Sequence, residues 1–341
     1  MKRIKKIMYV LLFIIIFVAV LIPLSYTLRP LEGENKEVRE RITGFYAEKE
    51  DSLDIVTVGS SGLFRFVDTP YLWKQEGYTS YNFAFPSLSI YLFEDLLDEV
   101  AKTQSPDLII LDMRKFITTN STDINKVRSQ FALHNVKYST VRCKMINRVY
   151  SSPKDRLSHY FDIAVYHSGW DNLTLDNLKY ADNEEEHKLK GFRVIDVVRE
   201  FESVDVSEVV EEKAISKNAE KTLRSILEKC KEKDLEVLCL MTPYQLTASQ
   251  QKKGNYIGSI VEEYGYRYLD MNPIQEELGL DYSKDFYHNK HVNVFGAEKV
   301  TGYLGEYIRT HYDISNEHDE DVIDSWNKAA KEYDAQMEAL N

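Results

Sequence analysis

The sequence predicts an α/β domain on a mostly parallel central sheet, preceded by one membrane-spanning helix. Three observations predict it: an uncharged N-terminal run, short β-rich segments ending in turn residues, and helical spacing between them. From Ile7 to Leu24 eighteen residues carry no charge. At about 1.5 Å per residue they nearly cross a hydrocarbon core of roughly 30 Å. Lys2, Arg3, Lys5 and Lys6 precede the run. Lys/Arg bias keeps its own side cytoplasmic, so the basic tip (1–6) is expected inside and the chain beyond the anchor (7–25) outside. A cleaved signal peptide is the competing reading, but the exit Pro23-Leu24-Ser25-Tyr26 lacks the small-residue cleavage pattern.

Residues 26–50, rich in Glu and Lys after Pro30, read as a polar stalk or a first amphipathic helix lifting the domain off the bilayer. The domain proper, 51–312, opens with the strand Asp54–Val58, stopped by Gly59-Ser60-Ser61-Gly62. A second strand is expected near 79–83, and a helix over 90–102 with Leu92, Leu96, Leu97 and Val100 apolar. Leu108–Leu111, after Pro106-Asp107, is a continuous apolar run of the kind found in buried parallel strands. The rhythm resumes with a helix over 217–233, a strand over 236–241, a helix over 250–264, a strand over 266–270 and a last helix over 297–309. Residues 116–205 between the halves have weak periodicity and read as an insertion or cap. The acidic segment 313–341 is expected as a tail or one amphipathic helix carrying Val322, Trp326, Ala329, Ala330 and Tyr333.

The net charge of −12, with no basic stripe beyond the N-terminal tip, argues against nucleic acid as a partner. Cys143, Cys230 and Cys239 are odd in number and lack C-x-x-C spacing, so neither a disulfide framework nor a zinc cluster is indicated. His134, His288 and His291 have no recognised ligand spacing for a metal. Tyr166-His167-Ser168-Gly169-Trp170, with His159 nearby, reads as the lining of a sugar cleft or as a cap packing on the sheet.

A serine at the turn leaving the first strand is well placed for nucleophilic work, because ligands bind at the carboxyl ends of parallel strands. On its own, Gly59-Ser60-Ser61-Gly62 reads as an ordinary loop. A second block, His291-Val292-Asn293-Val294-Phe295-Gly296-Ala297-Glu298-Lys299, leads into the last helix. Together, V-G-x-S and H-x-N-x-x-G-A-x-K resemble the SGNH (GDSL-type) hydrolase superfamily. More narrowly they resemble its membrane-anchored branch, which includes the D-alanine transfer protein of lipoteichoic acid and the alginate O-acetyltransferases. The likeness covers about residues 52–112 and 216–310.

The resemblance implies a three-layer sandwich, no cofactor, an acyl-enzyme on Ser61, and proton transfer by His291. Ser60 stands where the family has Asp. Tyr81-Asn82-Phe83-Ala84 resembles the second block, with Ala84 replacing its glycine, so Asn82 and Ala84 are candidate oxyanion donors. The third block's G-x-N-D is missing, and Arg114 there offers a charged donor instead. His288 occupies the acid position, where a histidine cannot supply a fixed negative charge. Asp285-x-x-His288 fits D-x-x-H literally but breaks the spacing after the histidine. Three readings stay open: a Ser61–His291 dyad, help from another carboxylate, or a degenerate site.

The implied activity is an extracytoplasmic O-acyltransferase or acyl-esterase on a cell-envelope polysaccharide or teichoic acid. Its implied partner is a multi-spanning membrane-bound O-acyltransferase. The alternative is a non-catalytic member that binds glycan or scaffolds an assembly complex.

Overall fold

The computed structural model describes residues 2–122, 124–179 and 184–340. An N-terminal helix, α1 (Lys2–Leu28), is long and apolar enough to cross a membrane, and its described side chains are exposed without a break through Val20. Next come α2 (Gly33–Ala47), β1 (Ile55–Gly59), α3 (Ser61–Phe64), α4 (Thr69–Glu76), β2 (Ser80–Ala84), α5 (Phe93–Val100), β3 (Leu108–Asp112) and α6 (Arg114–Thr118). An inserted set of short helices follows: α7 (Lys126–Asn135), α8 (Thr140–Val149), α9 (Pro153–Tyr160), α10 (Ile163–Tyr166), a 3-10 turn (His167–Asn172) and α11 (Leu175–Lys179). The second half contains α12 (Lys217–Glu232), β4 (Val237–Met241), α13 (Ala248–Glu263), β5 (Arg267–Asp270), the hairpin β6 (Phe286–His288) and β7 (His291–Val292), α14 (Val294–His311) and α15 (Glu320–Glu338).

The five-stranded sheet has the order β2-β1-β3-β4-β5, and every pair is parallel. Because side chains alternate across a strand, each strand feeds two cores. Val56, Val58, Ile109, Leu111, Val237 and Cys239 face one, packed with α2, α5, α12 and α13. Ile55, Leu108, Ile110, Leu238 and Leu240 face the other, packed with α3, α4 and α14. The winding reverses between β1 and β3: the chain goes outward from β1 to β2, then returns across β1 to continue through β3, β4 and β5. A parallel sheet leaves a crevice at the carboxyl ends of its strands at such a switch point. Ser61 follows β1 and Arg114 follows β3, so sheet order alone brings their two turns together.

Of the two readings for 26–50, the amphipathic helix is the one formed, and it docks on the domain instead of lifting it off the bilayer. Tyr26, Thr27 and Leu28 complete α1, and α2 lies on the sheet with Val38, Ile42 and Phe45 fully buried. The Phe45 ring sits 5.4 Å from Tyr81 and 4.4 Å from Phe83. These three apolar residues recur at helical spacing inside a Glu/Lys-rich segment, and that narrow stripe is enough to dock it. The acidic C-terminal segment forms α15, which packs on α4 through Trp326 and Tyr333.

Candidate active site

The turn after β1 is shaped by the end of β3. The carboxylate of Asp112 is fully buried and accepts hydrogen bonds from the Ser60 N–H (3.0 Å), the Ser60 hydroxyl and the Arg114 N–H (2.9 Å). A Cβ on Gly59 would overlap that of Asp112, and one on Gly62 would lie 2.7 Å from Arg114 Cδ. Both glycines are therefore required by close approach. Ser60 caps α3, its Oγ accepting from the Gly62 N–H at 3.5 Å. It is 2 % exposed and absent from the lining of the cleft, so it anchors the turn from beneath. Ser61, the next residue, begins α3 and opens into a cleft of about 980 Å³. As the first helical residue its N–H has no intrahelical acceptor.

His291 reaches the same point from the opposite end of the domain. Asn293 caps α14 through Gly296 N–H (3.1 Å), donates its Nδ2 to the Lys284 carbonyl (2.6 Å), and its backbone N–H bonds the Asp285 carbonyl (2.8 Å). A Cβ on Gly296 would stand 2.5 Å from the Asp285 carbonyl oxygen. The N-x-x-G part of the motif thus fixes the loop that carries β7, and β7 carries His291. Its Nε2 lies 2.9 Å from Ser61 Oγ, across 230 residues of sequence. Tyr287 stacks against its ring at 5.7 Å.

The surroundings of His291 are cationic. Burial, then Arg114, Arg65, His288 and Lys290, push its pKa down to about 2, so at neutral pH it is uncharged and able to accept the Ser61 proton. No carboxylate hydrogen-bonds its other ring nitrogen among the described residues. His288 in the acid position is exposed, its ring 5.4 Å from that of His291, and its Nδ1 accepts from the Lys290 N–H at 3.2 Å. Burial, then Lys290, Arg199 and Arg114, hold it below the ordinary histidine value.

Asp285 does not serve as the alternative acid. Its carboxylate is buried against Lys299 Nζ (2.6 Å) and the Asp281 N–H (2.7 Å), where it closes the loop before the hairpin. Asn82 is likewise structural. Its Oδ1 accepts from Thr57 Oγ1 and its Nδ2 donates to the Val67 carbonyl, both at 2.8 Å, with the side chain fully buried. Ala84 pairs with Gly59 in the sheet and packs in the second core. Arg114 does lie beside the turn that carries Ser61. Its guanidinium spans from Thr242 Oγ1 (3.3 Å) to the Lys290 carbonyl (2.7 Å) and stacks on Tyr244, tying the strand ends to the hairpin that holds His291.

Residues with no role in the sequence reading complete the site. Thr242, just past β4, donates to the Gly62 carbonyl at 2.8 Å. Arg65 and Arg41 reach Glu37 of α2 at 3.4 and 3.1 Å, and Arg193 pairs with the same carboxylate; all four line the cleft. Position at the carboxyl ends of β3 and β4 would have drawn attention to Asp112 and Thr242. Tyr166 and His159 do not line this cleft: the Tyr166 hydroxyl and His159 both bond His134, each at 2.8 Å, inside the insertion. A groove of about 880 Å³ lined by Asp107, Glu236 and Arg267 lies at the opposite, amino ends of the strands. No protein-family model matches this chain, and no curated protein matches it in sequence.

Proposed function

We propose that the chain is a serine-dependent acyl-transfer enzyme of the SGNH type, with Ser61 as nucleophile and His291 as its proton carrier. The 2.9 Å contact between His291 Nε2 and Ser61 Oγ carries the reading, since a base must stand within hydrogen-bond reach of the proton it takes. Neutral His291 removes the Ser61 proton as Oγ attacks an ester carbonyl. The imidazolium then returns that proton to the leaving alkoxide, and an acceptor hydroxyl or water reverses the sequence. The cations that depress His291 also offset the cost, because Arg65 and Arg114 stabilise negative charge developing on the carbonyl oxygen beside the Ser61 N–H.

The substrate class we propose is an acylated polymer of the cell envelope, served by an integral membrane O-acyltransferase that delivers the acyl group outside. The potential anchor α1 supports transfer over free hydrolysis, because tethering holds the site beside such a partner. A second reading, a non-catalytic glycan-binding or scaffold protein, is favoured by one observation: among the described residues no carboxylate hydrogen-bonds His291 to orient it or stabilise its protonated form.

A p-nitrophenyl acetate burst separates the two. The enzyme reading expects one acetyl group per chain on the Ser61 peptide by mass spectrometry, and none in Ser61→Ala. An acetylated chain lacking the modification at Ser61, or no burst at all, refutes it.

A further inference from the structure

Helices α9 to α11 and the 3-10 turn wrap the last turns of α1 as a collar. Arg29, just beyond α1, pairs with Asp162 at 2.5 Å with both side chains fully buried. Asn177 Nδ2 donates to the carbonyls of Thr27 (3.1 Å) and Arg29 (3.3 Å). Gly169 lies so close that a Cβ there would come within 2.5 Å of the Leu28 carbonyl oxygen. These polar contacts hold the collar against the helix it surrounds.

Its exposed face carries large apolar side chains among polar ones. Leu157, Phe161, Trp170, Leu175 and Leu178 are 47–77 % exposed, and Phe161 and Ile163 line a groove with Val18, Leu21 and Ile22 of α1. Large exposed apolar residues concentrated in one short segment mark an interaction site. The length of α1 says what covers it. The uncharged run begins at Ile7, but α1 is exposed without a break only through Val20, and these fourteen residues span about 21 Å at about 1.5 Å each. A hydrocarbon core of roughly 30 Å therefore extends past Val20 to the level of the collar. Asp171 and Asp176 are also exposed on this segment, a mixture that suits headgroup depth better than the bilayer interior.

We propose that residues 153–179 are embedded in the extracytoplasmic interface of the bilayer, with Leu157, Phe161, Trp170, Leu175 and Leu178 in contact with lipid. The proposal rests on α1 being a membrane anchor. It sets the height of the Ser61 cleft, since Gly33 on the cleft rim follows Arg29 by four residues, at most about 14 Å of chain. The cleft then opens at the membrane surface, within reach of lipid-linked or surface-tethered polymers.

The test uses the full chain reconstituted in liposomes of phosphatidylcholine brominated at defined acyl positions. The Trp170 emission is the difference between wild type and Trp170→Phe, which removes the contributions of Trp73 and Trp326. Strong quenching of that difference by bromines near the headgroup end of the acyl chain, weakened in Leu175→Glu/Leu178→Glu, is expected; both leucines are exposed, so the fold survives. Unquenched Trp170 emission in a chain that resists alkaline carbonate extraction overturns the collar proposal and leaves the anchor intact. A chain released by extraction overturns both.

Discussion

Replacing Asp112 by Asn tests how the nucleophile turn is held. The carboxylate is fully buried and accepts from two backbone N–H groups and one hydroxyl. Its two oxygens divide the work: one takes both donors of Ser60, the other the Arg114 N–H. An amide keeps a single acceptor oxygen, so one of those sides must face an NH2 group, leaving a buried donor orphaned and the amide nitrogen without a partner. Each unsatisfied buried group costs about 1–3 kcal/mol, so the pair costs roughly 2–6 kcal/mol. Urea unfolding of the full chain in detergent micelles, followed by far-UV circular dichroism, measures the loss. A fall in the rate of Ser61 acylation should accompany it, because the same bonds aim α3. A destabilisation below about 1 kcal/mol with unchanged acylation would refute the account of the turn.

Removing the Asp162 carboxylate with Asp162→Ala strands two buried guanidiniums, Arg29 and Arg142 at 2.5 and 3.0 Å. It should cost about 3–5 kcal/mol in the same unfolding assay, whereas a surface pair would cost less than about 1. Gly296→Ala forces a Cβ to within 2.5 Å of the Asp285 carbonyl oxygen. Overpacking of this kind costs about 1–3 kcal/mol, and its signature should be slower Ser61 acylation as the β7 loop shifts. His291, pushed down to about 2 by burial and then by its cationic neighbours, should stay neutral from about pH 5 to 8. Acylation of Ser61 should then show no inflection near the ordinary histidine value. Stability follows the opposite pattern from a salt-bridged histidine. The unfolded chain takes up a proton below about pH 6.5 that folded His291 refuses, so stability falls as pH drops through that value. Greater stability at about pH 5 than at 7, in wild type relative to His291→Gln, would contradict this.

Much of the frame was legible from local pattern. Each expected strand of the sheet falls within a residue or two of its observed position, because a strand buried on both faces must be apolar throughout, as Leu108–Leu111 and Val237–Met241 are. Ser61 and His291 were legible as a pair only through their motifs; the spacing after His291 turns out to encode a capped loop held by Asn293 and Gly296. What stayed hidden depends on partners distant in sequence. Asn82 looked like a donor for substrate, yet its amide joins Thr57 to Val67. Asp285 looked like an acid, but Lys299 claims it. The insertion was opaque beyond α8, which buries Val141, Met145, Ile146 and Val149 at helical spacing, because α9 to α11 bury little apolar surface. They are organised instead by Asp162, whose partner Arg29 lies 133 residues away.

Active-site titration with a fluorophosphonate tests whether Ser61 and His291 form a working dyad. A working dyad gives covalent labelling at Ser61 in the wild-type chain, none in Ser61→Ala, and strongly slowed labelling in His291→Ala with the fold unchanged by circular dichroism. Labelling that persists in Ser61→Ala, or proceeds equally fast without His291, would contradict it.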